Sequence, residues 1–247
     1  LISGNKLFKL KYNVDRALLE KKNMLITFGG AFSNHILATA AYAKKKNIDC
    51  LAIVRGKEYS ELNPLLTLAK EYGMNFCFVS RKEYTKRNDN NYVSELIRKY
   101  KKAFIVPEGG NNKLGVLGAE EILETQDKSF DYIICPIGTG ATLSGIVNSS
   151  NKSQKVIGIN CINDTKDINK NISQKTNKNN WEIINEFNFG GFAKFDNILT
   201  EYLKKFKLNY KITLDLNYTT KMFFGFEKLI ERRYFHRKSK VLLIHTE

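Results

Sequence analysis

The stretch Tyr132-Ile133-Ile134-Cys135-Pro136-Ile137-Gly138-Thr139-Gly140-Ala141-Thr142-Leu143-Ser144-Gly145 decides the fold. Residues 132–135 form a short apolar run that reads as a buried strand. Gly138 to Thr142 then turn the chain into a helix ending near Asn148. Glycines let a backbone come close to an anion, a helix start aims free N–H groups at it, and the hydroxyls of Thr139 and Thr142 add donors. The turn is therefore a candidate phosphate cup; taken alone, it reads more readily as an ordinary tight turn. It is not a P-loop, because no Gly-Lys-Ser/Thr follows. Its glycine spacing also fits a dinucleotide-binding turn poorly.

The same strand-turn-helix pattern recurs on either side. Residues 24–28 read as a strand, followed by Gly29-Gly30-Ala31-Phe32, the helix cap Ser33 and a helix over Asn34–Lys46. A strand over Ala103–Val106, ended by Pro107, leads through Glu108-Gly109-Gly110-Asn111-Asn112 into a helix over 114–125. Further strands are expected over 50–54, 75–79, 156–160 and 241–244. Helices are expected over 7–21, from Pro64 to near Tyr72, and over 88–101, 196–206 and 218–233. The polar stretch 163–180, rich in lysine and asparagine, reads as a surface helix or loop. No internal repeat is visible. Alternating strands and helices predict an α/β fold, its parallel sheet covered by helices on both faces. Ligands in such folds bind beyond the carboxyl ends of strands, in the loops before helices. That points to the three glycine turns at 29–33, 109–112 and 138–142.

Bulk properties narrow the function classes. A chain of 247 residues suits one large domain or two lobes, and 43% hydrophobic with 12% aromatic residues is enough for a proper interior. No apolar run is long enough to span a bilayer and no charged-then-apolar leader is present, so a soluble, non-membrane protein is expected. The net charge of +15 invites a nucleic-acid partner. The lysines are spread along the chain among asparagines, without an arginine block or helix-turn-helix pattern, so nucleic-acid binding is not expected. Cys50, Cys77, Cys135 and Cys161 lie far apart with no Cys-x-x-Cys pair, which favours reduced thiols in a cytoplasmic protein. His35, His236 and His245 show no ligand spacing, so no metal site is expected.

Lys6 stands where the first helix begins; that helix carries Leu7, Leu10, Val14, Ala17 and Leu18 at helical spacing. Alone, Lys6 reads as a solvated surface lysine. Ser33 is either a helix cap or a hydroxyl facing a ligand. Asn34 offers a donor and an acceptor. His35 is either a base or a partner of a backbone carbonyl. A lysine amine, a phosphate cup and a Ser-Asn turn together point to pyridoxal phosphate, whose aldehyde needs an amine and whose phosphate needs fixed donors.

The order of the motifs sharpens this reading. Ser3-Gly4-Asn5-Lys6 with a following Lys-Leu, Phe28-Gly29-Gly30-Ala31-Phe32-Ser33-Asn34-His35, Pro107-Glu108-Gly109-Gly110-Asn111-Asn112, Gly138-Thr139-Gly140-Ala141-Thr142, Asn217-Tyr218-Thr219-Thr220-Lys221 and His245-Thr246 follow one another. In this the chain resembles the D-cysteine desulfhydrase / 1-aminocyclopropane-1-carboxylate deaminase family of pyridoxal-phosphate enzymes, from Ser3 to Thr246. The resemblance implies fold type II: a two-lobed, tryptophan-synthase-β-like α/β architecture with parallel-rich sheets flanked by helices. It implies a large cofactor-binding domain of residues 1–18 and 119–247 and a smaller α/β domain of residues 19–118. Lys6 would carry pyridoxal 5'-phosphate covalently, Asn34 would bond its ring hydroxyl, and Thr219 would face its ring nitrogen. Gly138, Thr139, Gly140, Ala141 and Thr142 would cup the phosphate. Ser33, Asn34, His35 and Tyr218 would meet the substrate, with Lys6, Ser33 and Tyr218 catalytic.

Within the family, the deaminase branch resembles a pattern with Glu at the place of Thr219 and Leu at that of Thr246. Threonine at both matches the desulfhydrase branch. Phe192 stands where tyrosine is common, so a second phenol is missing. The tyrosine turn lacks the usual Pro-Val-Tyr-Thr-Gly form, Glu247 follows His-Thr where glycines are the rule, and the start lacks the leading segment. The chain therefore reads as a piece of a longer protein. The implied activity is β-elimination and deamination of a small amino acid, with D-cysteine giving pyruvate, sulfide and ammonia. The alternatives are a 1-aminocyclopropane-1-carboxylate deaminase, another deaminase or racemase of the fold, and a binding protein that keeps the fold without turnover. A homodimer is implied as well.

Overall fold

The computed structural model describes residues 4–57, 61–163 and 166–246. Ser3 and Glu247, named above in two of the motifs, lie outside them. Residues Leu1–Gly118 and Ala119–Glu247 form two compact units.

The first unit runs α1 (Asn5–Leu19), β1 (Met24–Gly30), α2 (Asn34–Lys46), β2 (Asp49–Arg55), α3 (Pro64–Glu71), β3 (Met74–Val79), α4 (Arg81–Tyr84), α5 (Asn90–Lys99), β4 (Ala103–Val106) and α6 (Lys113–Ala119). Its sheet has the order β3-β2-β1-β4, all parallel. Alternate strand residues serve opposite faces, as a sheet covered on both sides requires. Leu25, Cys50, Ala52 and Val54 pack on one face with Leu10, Val14 and Ala17 of α1 and Ile36 and Ala40 of α2. Ile26, Phe28, Leu51 and Ile53 pack on the other with Tyr84 and Leu96. This packing counts α1 in the first unit, whereas the sequence reading groups 1–18 with 119–247.

The second unit runs β5 (Tyr132–Ile137), α7 (Ala141–Ser149), β6 (Lys155–Asn160), α8 (Lys166–Ser173), β7 (Trp181–Ile184), α9 (Asn197–Tyr210), α10 (Thr219–Glu231) and β8 (Val241–Leu243). Its parallel sheet has the order β7-β6-β5-β8. Ile133, Cys135, Ile137 and Val156 face α7 and α8, while Tyr132, Ile134, Ile157 and Ile159 face α10. Pro136 is tolerated inside β5 because β8 pairs only as far as Ile134, so no partner on that side is lost.

Counted within each unit, the strand order is the same: third, second, first, fourth. In both, the chain runs from the first strand to one side and returns to add the fourth on the other. The first strand is thus the point where the order reverses, the usual ligand crevice of an open α/β sheet. The Ala31–Ser33 turn follows β1 and the Gly138–Gly140 turn follows β5. The Gly109–Asn112 turn follows β4, across the crevice from the turn after β1.

Four expectations need correcting. β7 lies beside the polar stretch 163–180 and was not expected; it is a four-residue edge strand, too short for a clear periodic signal. Gly29 and Gly30 extend β1 rather than ending it. The helix expected over 114–125 stops at Ala119 and passes into a 3-10 turn over Glu120–Ile122. On α1, Leu7 and Leu18 are 36% and 41% exposed, while Asn5, Lys9 and Asn13 are buried. These three polar residues recur every four positions, so a polar stripe of α1 faces inward beside the apolar one.

Two contacts hold that stripe. Asn13 and Asn112 exchange side-chain amide hydrogen bonds of 3.2 and 2.7 Å. Gly118 of α6 lies so close to α1 that a Cβ there would sit 1.9 Å from the Phe8 carbonyl oxygen. His35, 3% exposed, completes the interior. The Thr27 hydroxyl donates to the Val106 carbonyl (2.9 Å), so His35 Nε2 carries the hydrogen it donates to Thr27 Oγ1 (2.8 Å). Its Nδ1 has no partner among the described residues. Burial, then the charges of Lys9 and Lys6, hold this imidazole well below its ordinary pKa.

Two measurements test this packing. Gly118→Ala is expected to lower stability by about 1–3 kcal/mol in urea denaturation; an unchanged midpoint would contradict the close approach. His35 is neutral in the fold but takes a proton in the unfolded chain below about pH 6.5. The unfolded state then binds more protons, so His35 leaves stability intact above that pH and erodes it progressively below. The stability difference between the wild type and His35→Gln should therefore shrink from pH 7.5 to 5.5.

Candidate active site

In the first unit the reactive groups gather on helix starts. Gly4, with φ 65°, turns the chain into α1, and Lys6 occupies the first turn. Its ammonium donates to Asn5 Oδ1 at 2.8 Å, and the side chain is half-buried. One turn on, Lys9 is 3% exposed, and its Cβ lies 3.2 Å from where a Cβ at Gly110 would be. Gly109 and Gly110 both have φ 66°, a left-handed backbone open mainly to glycine, so the turn after β4 passes directly over α1.

Ser33 is the N-cap of α2, its Oγ accepting weakly from Ile36 N–H at 3.4 Å. A Cβ at Gly29 would lie 2.7 Å from this oxygen, so only glycine lets the hydroxyl sit back against the strand end. Asn34 opens α2 on the same turn. His35 points inward to Thr27, beneath the turn that carries Ser33 and Asn34. Both earlier readings of Ser33 are thus compatible with its place: a hydroxyl can cap and still offer its own proton.

In the second unit Gly140 is the N-cap of α7, with φ 88° and no capping side chain. No side chain of the N-cap residue covers the first turn of α7, and the helix start favours negative charge. Thr142 is 5% exposed within that turn. Gly138 leaves room for Tyr218: a Cβ there would lie 3.0 Å from Cε1 and 3.2 Å from the hydroxyl oxygen. The phenol therefore rests on the glycine turn. The Phe192 ring packs on Tyr218, with centroids 5.8 Å apart.

Asp215, which sequence reasoning passed over, organises this corner. Its carboxylate accepts from the backbone N–H groups of Asn217, Tyr218 and Thr219 at 2.7, 2.7 and 2.8 Å. It also accepts from the Thr219 hydroxyl at 2.8 Å, and that hydroxyl accepts in turn from Asp215 N–H at 2.8 Å. Toward any further group Thr219 can only accept, since its one hydrogen is committed. The Thr220 hydroxyl beside it is buried without a partner among the described residues. An Asp just before a helix start is a recognisable capping signal, and it could have been read.

All eleven residues singled out in the sequence therefore lie at strand-to-helix turns or helix starts. Lys6, Ser33, Asn34 and His35 belong to the first unit, and Gly138, Thr139, Gly140, Ala141, Thr142, Tyr218 and Thr219 to the second. The chemistry on offer is an amine with a hydroxyl-amide turn, and an anion cup with a phenol.

Comparison with known proteins agrees. Residues 2–247 match the family described as pyridoxal-phosphate dependent enzyme. A Thermotoga maritima protein provisionally named 1-aminocyclopropane-1-carboxylate deaminase is 30% identical over 265 residues, which is 99% of this chain and 83% of that protein. The mitochondrial bifunctional D-cysteine desulfhydrase/1-aminocyclopropane-1-carboxylate deaminase of Arabidopsis thaliana is 32% identical over 163 residues, 59% of this chain and 41% of that protein. The crystal structure of a 1-aminocyclopropane-1-carboxylate deaminase homologue matches at a TM-score of 0.84 and 26% identity, over 99% of this chain and 79% of that one. Motifs, parallel sheets and whole-chain similarity lead to one conclusion: the chain belongs to the pyridoxal-phosphate dependent enzymes of fold type II, in the family of 1-aminocyclopropane-1-carboxylate deaminases and D-cysteine desulfhydrases.

Proposed function

We propose that the protein is a lyase that eliminates the β-substituent of a small amino acid, with D-cysteine as the first candidate. D-Cysteine and water would give pyruvate, hydrogen sulfide and ammonia. The residues present fit the cofactor. The uncapped start of α7 offers N–H donors for a phosphate, and Lys6 offers a half-exposed amine. Pyridoxal phosphate, when bound, supplies the electron sink that lets the substrate's α-proton leave.

The chain's own residues would do the rest. Lys6 would anchor the cofactor and, as a free amine, would take the substrate's α-proton. The Ser33 hydroxyl and the helix start behind it receive the substrate carboxylate, and Asn34 bonds the cofactor's ring hydroxyl. Gly138, Thr139, Gly140, Ala141 and Thr142 hold the phosphate. The Tyr218 phenol gives a proton to the departing sulfur. His35, neutral and bonded to Thr27, supports the turn from beneath.

The observation that carries the substrate choice is the hydroxyl at Thr219, where a carboxylate would favour a ring cation more strongly. A weaker sink suits the loss of a good sulfur leaving group better than the opening of a cyclopropane. The second reading is ring opening of 1-aminocyclopropane-1-carboxylate, favoured by the names of the relatives. Asp215, whose charge stands directly behind Thr219, is the feature that speaks for it. We place the protein in the cytoplasm, where its four free thiols would stay reduced, and read it as a homodimer by family resemblance. Among the described residues no helix is long and apolar enough to cross a membrane.

Two tests follow. Purified protein should absorb in the visible, and borohydride should trap the adduct on Lys6; a reducible adduct retained in Lys6→Ala removes the anchor assignment. A panel of D- and L-cysteine, serine and 1-aminocyclopropane-1-carboxylate, scored for sulfide, ammonia and pyruvate or another keto acid, decides the substrate. Sulfide from D-cysteine is expected, with kcat lowered about a hundredfold in Tyr218→Phe. Turnover of another member without sulfide from D-cysteine would reverse the choice.

A further inference from the structure

Lys221 is fully buried, three residues into α10 from Tyr218, and none of the roles above uses it. Its ammonium donates to three backbone carbonyls: Gly191 at 2.7 Å, Asn188 at 2.8 Å and Cys161 at 3.4 Å. An ammonium has three hydrogens, and three acceptors use them all. A neutral amine would set a lone pair against a carbonyl oxygen, so the cage selects the charged form. Burial lowers the lysine pKa, and the neighbouring Cys161 and Asp215 oppose that.

The carbonyls belong to segments that would not otherwise hold this shape. Phe189, Gly190, Gly191 and Ala193 all have positive φ, at 52°, 83°, 111° and 57°. Two of them are not glycine, and such backbone persists only where its surroundings over-determine it. A Cβ at Gly191 would lie 3.0 Å from the Asn163 backbone nitrogen, so the turn is pressed onto the chain just past β6. Phe192 follows Gly191 and packs on Tyr218. The Cys161 thiol, at the same strand end, lies 3.6 Å from the Tyr218 carbonyl and 3.3 Å from that of Ile159, and donates to one of the two.

We propose that Lys221 is a positioning residue: its buried ammonium is a tethered cation that draws the Asn188–Gly191 turn onto the end of β6 and so sets the Phe192 ring against Tyr218. The effect on catalysis rests on the reading that Tyr218 works at the substrate. The hold on the turn does not.

The test uses the full chain with its cofactor. In Lys221→Met, which keeps the bulk and removes the charge, backbone amide exchange over 188–193 should rise about tenfold while that of α7 stays unchanged. Turnover should fall about tenfold, mostly in kcat. Lys221→Ala leaves a cavity that ammonium can enter and tetramethylammonium cannot. Ammonium chloride should restore slow exchange, and tetramethylammonium chloride at equal ionic strength should not. Unchanged exchange in Lys221→Met, or equal rescue by the two salts, overturns the proposal. If exchange responds as expected but turnover falls in Tyr218→Phe and not in Lys221→Met, the positioning role fails alone. If turnover is normal in both, the Tyr218 reading fails and takes the positioning role with it.

Discussion

Parallel strand pairing obliges every strand to hand over to a helix at the same edge of its sheet. Among the described residues each unit has a four-stranded parallel sheet, and so each collects its strand-to-helix turns on one side. The first strand is where the order reverses, which is where open α/β sheets leave a crevice for a ligand. Ser33, Asn34, Gly138 and Thr142 owe their positions to this constraint before any chemistry is considered. The shared strand order repeats the arrangement in the second unit with different side chains.

What the turns can do depends on how closely backbone and side chain approach. Gly29 admits Ser33, Gly138 admits Tyr218 and Gly110 admits Lys9; in each case a Cβ would lie within 3.2 Å of the neighbour. Conformational freedom is the smaller part of the reason at Gly29 and Gly138, neither of which has a positive φ. Space is the larger part. At Gly140 the reverse holds: φ of 88° opens the start of α7. The glycine-rich appearance of the turns thus combines two demands, one for volume and one for backbone conformation.

Much of this was legible in the sequence. Residues 24–28, 50–54, 132–135 and 156–160 are continuous apolar runs, and strands buried on both faces announce themselves that way. The helix caps Ser33, Asn63 and Asp196 were readable from residue type and spacing. β7 was not, because a four-residue edge strand carries too little pattern. The inward stripe of Asn5, Lys9 and Asn13 was hidden for another reason: polar residues on a helix ordinarily mean a wet face, and here all three are buried, with Asn112 as the partner of Asn13. Lys221 was hidden likewise: the backbone carbonyls that hold it lie thirty or more positions away, and no local spacing encodes such contacts. Asp215, whose partners lie two to four positions on, was readable and was passed over. The motif order, by contrast, pointed to Lys6 because cofactor chemistry demands an amine whatever the packing.

The Asn13–Asn112 amide pair joins positions 99 residues apart. During synthesis α1 leaves the ribosome before the rest of the first unit, yet Asn112, which holds its polar stripe, is among the last parts of that unit to appear. At about 5–20 residues per second, α1 waits roughly 5–20 s for them. Throughout that interval the helix that carries Lys6 lacks this amide partner, and the close approach of Gly118 to α1 waits until residue 118 has emerged. Lys6 is thus translated early and positioned late.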